Sequence, residues 1–190
     1  MLGRLQDFVL RISRTWWLYL GVVALFAGSL QALTRIGARF PAVAGGVKPF
    51  DLQNDLQSGQ VYAQLAGYTD QARALYYAFT LIDYAFPFFA GLFITATVAF
   101  CLRHSLPKLY AVLVERRLLL LLMLATVFDW LENVTALTAI ILYPSTFSWL
   151  PPLLVVAKKC KLAFSLISNG VMFTSALIAA GFWLARRGRR

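Results

Sequence analysis

Charge is what this chain has least of. Only 14% of its 190 residues are Asp, Glu, Lys or Arg, and just eight of them are acidic. A soluble globular domain carries roughly a quarter charged residues, so a water-facing shell over the whole molecule is excluded. Histidine occurs once, at His104, which rules out a histidine-rich diiron centre and a pair of haem-ligating histidines. The cysteines are Cys101 and Cys160 alone, with no Cys-x-x-Cys, so neither a disulfide framework nor a thiol–disulfide redox motif is implied. No nucleophile elbow or phosphate loop is present. No metal site is expected, no cofactor is indicated, and the lack of an internal repeat argues against an inverted-repeat transporter.

What the chain has is apolar sequence, 60% of it hydrophobic. Four runs, about Trp16–Leu33, Tyr77–Cys101, Leu118–Tyr143 and Leu162–Ala185, are long enough to cross about 30 Å of hydrocarbon at about 1.5 Å per residue. The expected fold is therefore an all-α integral membrane protein: one domain over residues 1–190, built as an antiparallel bundle of four transmembrane helices. Arg4, Arg11 and Arg14 before the first run imitate a signal peptide. No small-residue cleavage site follows, however, and Trp16, Trp17 and Tyr19 form an interfacial belt, so the run is read as a span preceded by a short amphipathic helix.

Basic residues set the expected orientation. With the N-terminus inside, eleven Lys and Arg fall on the inner side against seven outside, and the inner ones crowd the span ends. Both termini are expected to be cytoplasmic. The net charge of +10 then reflects topology and contact with anionic headgroups, with no nucleic acid as partner. The closing Arg186-Arg187-Gly188-Arg189-Arg190 reads as a stop-transfer anchor. Cys101 and Cys160 fall on opposite sides of the membrane, and His104 is an ordinary exposed residue of the short Arg103–Arg117 connection.

The long outer segment, Thr34–Tyr76, calls for structure of its own. Val61, Leu65, Tyr68, Ala72, Leu75 and Tyr76 recur at spacings of three and four, which predicts an extra amphipathic helical segment lying at the surface and feeding the second span. Gly67 interrupts it, Thr69 caps the next helix, and Asp70 suits that helix's N-terminus. Such a segment serves either as a lid over the outer mouth of the bundle or as packing on the headgroups.

Three acids stand inside the apolar runs: Asp83 in the second, Asp129 and Glu132 in the third. A carboxylate in the bilayer costs several kcal/mol unless a bundle interior compensates it. Asp129, Glu132 and Asn133 stand at i, i+3 and i+4, on one helix face. Asp83 lies at a matching depth on a helix running the other way, so the residues are expected to converge. Pro87 has no N–H, which leaves the carbonyl of Asp83 without its helical partner and presents a carboxylate and a freed backbone oxygen together. On the last span, Lys161, Ser165 and Asn169 at i, i+4 and i+8 form a polar stripe, with Lys161 as counter-charge for Glu132 or Asp129. Acid–base pairs of this kind also hold helices together with no further role.

Arg73-x-x-Tyr76, leading into Asp83-x-x-Phe86-Pro87 and then Asp129-x-x-Glu132-Asn133, resembles an uncharacterised family of small bacterial four-span membrane proteins. The resemblance covers roughly Asp51 to Asn133. It implies a bacterial inner membrane and marks Arg73, Tyr76, Asp83, Asp129, Glu132 and Asn133 as defining positions. The chain is also loosely similar to the emopamil-binding-protein class of sterol isomerases, in which acidic and amide side chains line an intramembrane cavity. It departs from that class in having four spans instead of five and no intramembrane histidine.

Three functions fit these residues. The leading one is a buried acidic site that binds or conducts a proton or small cation. The alternative is an intramembrane enzyme or binding protein for an apolar or lipid-derived ligand, with a buried carboxyl group as general acid. The third is a structural subunit of a larger membrane complex or homo-oligomer.

Overall fold

The computed structural model describes residues 2–187, and the Gly188-Arg189-Arg190 end of the basic tail lies outside them. Among the described residues the chain is helical throughout, with no strand. The helices are α1 (Leu2–Arg14), α2 (Trp16–Arg39), α3 (Ser58–Leu65), α4 (Asp70–Ser105), α5 (Pro107–Glu115), α6 (Leu124–Leu142) and α7 (Leu150–Arg187). Short 3-10 turns at Phe40–Ala42 and Phe50–Leu52 follow α2, and another at Leu118–Met123 leads into α6. Four stretches, Trp16–Ala42, Asp70–Ser105, Leu118–Leu142 and Leu150–Arg187, are long and apolar enough to cross a membrane.

Three of the helices overrun the apolar runs that announced them. α4 starts at Asp70 instead of Tyr77 because Thr69 caps it: the Thr69 hydroxyl accepts from the Ala72 N–H at 3.1 Å, and Asp70 lies in the first turn. α7 starts at Leu150 instead of Leu162, so Lys158, Lys159 and Lys161 belong to the last long helix itself. Pro151 and Pro152 sit in its first turn, where a missing N–H is harmless. α2 continues past Leu33 to Arg39. Hydropathy marks the apolar middle of such helices, whereas capping and local hydrogen bonds decide where they end.

α4 is the hub. α1 and α2 pack against it, as do α6 and α7, which also pack against each other; α2 and α7 barely meet. The α2–α4 seam is aromatic, with Phe26 stacked on Phe86 at 5.5 Å and on Phe93 at 5.7 Å. The Tyr19 hydroxyl meets Thr97 Oγ1 at 2.8 Å, and at the other end Gly37 lies beside Leu52 and Phe79. Much of the outer surface stays apolar: Leu81, Leu166 and Leu177 are 75%, 76% and 74% exposed.

Pro87 shapes the α4–α6 contact. Its missing N–H leaves the Asp83 oxygen without a helical donor, and a row of α6 side chains addresses this stretch of the α4 backbone. Asn133 Nδ2 lies 3.5 Å from the Asp83 oxygen, Trp130 Nε1 donates to Tyr84 at 2.8 Å, and Thr126 Oγ1 donates to Pro87 at 2.7 Å. Positions 126, 130 and 133 recur at four and three residues, one face of the helix. Gly91 permits the close approach, since a Cβ there would stand 2.7 Å from Thr126 Oγ1 and 3.3 Å from Met123.

Residues 40–69 form a folded cap packed against the long helices. Phe40, Phe50, Leu56, Val61, Leu65 and Tyr68 are buried against Tyr76, Ala136, Ile140 and Leu154 in one continuous core. Thr69 Oγ1 donates to the Val43 oxygen at 2.9 Å, and the Gln53 and Gln64 amides exchange hydrogen bonds at 2.9 and 3.0 Å. Tyr62 ties α3 to the turn between α6 and α7, accepting from the Phe147 N–H at 2.9 Å. The α3 helix ends at Leu65 before the Gly67 turn, as that glycine predicts, and Thr69 opens the next helix.

The tight α4–α6 crossing yields a stability prediction. Gly91→Ala should destabilise by about 1–3 kcal/mol through overpacking. In a Thr126→Ala background, where the opposing hydroxyl is gone, the same change should cost markedly less. Unfolding titrations of the four proteins in micelles test this, and strictly additive losses would show that Thr126 is not what Gly91 makes room for.

Candidate functional site

The expected convergence of Asp83, Asp129, Glu132 and Asn133 is present in the structure. Asn133 is its hinge: its Nδ2 lies 3.0 Å from Asp83 Oδ2 and 3.3 Å from Asp129 Oδ1, so one amide bridges carboxylates of two helices. The freed Asp83 oxygen faces the same nitrogen, as the position of Pro87 led one to expect. All four residues are buried.

Glu132 is held by two lysines. Lys158 Nζ lies 2.6 Å from Oε1 and Lys161 Nζ 2.8 Å from Oε2, and Glu132 and Lys158 are each only 1% exposed. Lys161 also stands 3.4 Å from Asp129 Oδ2 and pairs with Asp51 Oδ1. Lys158 completes the link to the cap by donating to the Asp51 backbone oxygen at 3.0 Å. The cluster therefore joins α4, α6, α7 and the Phe50–Leu52 turn.

Two members were missed by sequence reasoning. Lys158 was not singled out, yet it stands one helical turn from Lys161 on the face that meets Glu132; that i, i+3 relation was its signal. Asp51 lies in the connection between α2 and α3, where an acid is ordinarily solvated. Its only local sign was the apolar Pro49-Phe50 before it, Phe50 being fully buried.

Other expected residues lie elsewhere. Arg73 is not brought to the cluster: its Nη1 donates to the Ile140 oxygen at 3.3 Å, and its guanidinium lies 5.5 Å from the Tyr143 ring centroid. Standing nearer the N-terminal end of α4 than Asp83, it braces the end of α6. Tyr76 is buried in the aromatic core of the cap, with Phe40 and Phe50 centroids at 5.7 and 5.8 Å. Asn169 donates to the Ser165 oxygen at 2.8 Å, so of the expected stripe only Lys161 joins the ion pairs.

Asn169 and Ser165 instead line a cavity of about 200 Å³ beside the cluster. Its walls include Phe26 of α2, Phe86 and Phe93 of α4, and Thr126 and Asp129 of α6. Asp129 is the one charged residue of this lining. A cavity this size holds a ring or the end of a hydrocarbon chain; one of about 150 Å³ takes up benzene.

The cluster has two chemical properties. Asp51, Asp83, Asp129 and Glu132 face only two ammonium groups, so in a poorly solvated setting the cluster becomes neutral when two of its carboxyls carry protons. Oxygens of Asp51, Asp129 and Glu132 also lie within 4.8 Å of one another, close enough to share a metal ion. Lys161 Nζ already sits against all three, so a metal would have to displace that ammonium. Comparison with protein-family models, curated proteins and solved structures returned no match. A functional reading of the chain therefore rests on its own residues and their geometry.

The ion pairing can be tested as architecture. Glu132→Gln leaves Lys158 buried without a charge partner and should cost about 3–5 kcal/mol. Adding Lys158→Met should recover most of that loss, since an apolar residue of similar size replaces the orphaned charge. A double variant as unstable as the single one, in denaturant titrations of the folded micellar protein, would mean that Lys158 depends on other partners.

Proposed function

We propose that this chain is an integral membrane protein that binds an apolar or lipid-derived ligand in the cavity between its long helices, with Asp129 anchoring the ligand's hydroxyl or amine. One observation carries the reading: Asp129 is both part of the polar cluster and part of the wall of an otherwise largely apolar cavity. Small-molecule sites have this character, mostly apolar with few polar groups that fix orientation. The sparse contact between α2 and α7 supports lateral entry from the bilayer. Protonated, a carboxyl in this wall would serve as hydrogen-bond donor or general acid to a bound ligand.

Insertion is supported by the four apolar helices and the exposed leucines on their outer faces. Successive contacts support an antiparallel arrangement: Tyr19 with Thr97 and Gly37 with Phe79 between α2 and α4, and Thr126 with Pro87 and Arg73 with Ile140 between α4 and α6. The eleven-to-seven basic bias supports cytoplasmic termini, and it sharpens because two of the seven outer cations, Lys158 and Lys161, are neutralised by buried acids. The resemblance to small bacterial four-span proteins supports the inner membrane as the location.

A second reading, proton or cation handling, is favoured by the excess of carboxyls over ammonium groups. It ranks lower because the half of the bundle beyond Pro87 is filled by apolar packing of Leu92, Ala96, Val98, Ala99, Leu102, Leu119 and Met123. Thr95, Ser168 and Ser175 are buried hydroxyls there, but among the described residues no buried carboxyl or lysine continues the cluster into that half.

Two experiments check these readings. Asn54 is exposed in the cap; Asn54→Cys, in a background lacking Cys101 and Cys160, should react with an impermeant maleimide from outside intact cells, and reaction only after lysis would reverse the orientation. For the ligand, organic extracts of the purified protein should contain a bound apolar compound. Ala125→Leu, which fills the cavity, and Asp129→Asn should each lower its occupancy at least about tenfold, or about 1.4 kcal/mol. Extracts unchanged by both variants, together with a pH-gradient-driven flux in proteoliposomes that Asp83→Asn abolishes, would put the proton reading first.

A further inference from the structure

A second cavity, of about 400 Å³, lies at the opposite end of α4 from the carboxylate cluster, where α1, α2 and α4 meet. Ile12, Trp16, Tyr19 and Phe100 form much of its wall, and Arg14 and Arg103 stand at it together. Arg103 is held in place: its Nη2 donates to the Ser13 oxygen at 3.2 Å and its guanidinium lies 5.9 Å from the Phe100 ring centroid. Among the described residues neither guanidinium has a carboxylate partner, every salt bridge being made by Lys158 or Lys161. α2 also begins here, and Thr15 offers its first turn no side-chain cap, so backbone N–H groups at that end are left with their partial positive charge.

Two unpaired guanidiniums and an uncapped helix start, set at an apolar cavity, call for an anion that brings hydrocarbon with it. A free inorganic anion would leave the apolar walls bare. Trp16 and Phe100, 56% and 50% exposed, continue that apolar surface out of the cavity along the helices. We propose that this cavity binds the phosphate headgroup of an anionic phospholipid, with Arg14 and Arg103 on the phosphate and the acyl chains along Trp16 and Phe100. The proposal rests on the membrane reading above but not on the ligand assigned to the other cavity. It goes beyond diffuse attraction to headgroups by naming a site and its two cations.

Native mass spectrometry of the full chain in detergent tests it, with phosphatidylglycerol and phosphatidylcholine of identical acyl chains as probes. Phosphatidylglycerol should be retained in preference, and Arg14→Gln and Arg103→Gln should each lower its retention about fivefold, in line with the attraction of one basic residue to anionic lipid. Arg186→Gln with Arg187→Gln, on a terminus remote in sequence, should leave retention unchanged. Equal retention of both lipids, or phosphatidylglycerol binding untouched by the Arg14→Gln/Arg103→Gln double variant, would overturn the proposal. Displacement of the lipid by millimolar glycerol phosphate would assign the site to soluble phosphate compounds and overturn its lipid part. If Arg103→Gln fails to fold, the exposed Arg14 carries the test alone, with Arg103→Lys retaining the charge. Alkaline extraction of membranes separates the two failures: a chain released by carbonate fails the membrane reading, whereas one that stays inserted and shows no lipid preference fails only this proposal.

Discussion

A carboxylate withdrawn from water costs several kcal/mol unless a cation goes with it, and Glu132 takes two. Because Glu132 belongs to α6 and both lysines to α7, satisfying that charge sets how far one helix slides along the other. A displacement of one turn, about 5.4 Å, would break this double pairing. The same ammonium groups reach the Phe50–Leu52 turn through the Asp51 carboxylate and backbone oxygen. Phe50 is thereby seated in the core, and the segment between α2 and α4 becomes a cap over the cluster. Asn133, the next residue after Glu132, is carried to Asp83 by the same register.

The second constraint acts along α4. A proline inside a membrane-type helix is tolerated where neighbours re-satisfy the backbone groups it frees, and here the neighbour is one face of α6. Thr126, Trp130 and Asn133 each address an α4 oxygen near the proline. Ion pairing fixes α6 against α7 while proline fixes α6 against α4, which leaves α2 as the least constrained of the four long helices. It meets the rest through the Phe26 stack and the Tyr19–Thr97 contact, and only 11% of its most apolar window is buried. The cavity opens beside that helix.

Much of the polar cluster was legible because helical spacing is a local property. Asp129, Glu132 and Asn133 had to share a face, Asp83 had to sit one turn before Pro87, and Lys161 had to stand near the level of the acids. What stayed hidden was tertiary. Lys158 and Lys159 are neighbours of identical type, yet one is buried and the other exposed, and only the direction in which α7 packs tells them apart. Asp51 is drawn inward from a loop by a partner 110 residues away. Arg73 misled for the opposite reason, since its place within a motif suggested proximity while its position near the N-terminal end of α4 put it against Ile140 and Tyr143. The helix ends were underestimated wherever capping or proline extended a helix beyond its apolar middle.

The four carboxylates of the cluster are not equivalent, and the difference bears on which of them is free to meet something else. Glu132 has an ammonium on each oxygen, Asp51 is tied through side chain and backbone, and Asp83 is turned onto Asn133. Asp129 has the longest of the ion pairs, at 3.4 Å, and shares its amide donor with Asp83. It is also the one that faces the cavity. Weak internal commitment and contact with open space coincide at one residue, which is what the proposed ligand anchor requires. The tightly paired acids then act as its support: they hold α6 and α7 in place, so that the Asp129 carboxyl is presented to the cavity from a rigid wall.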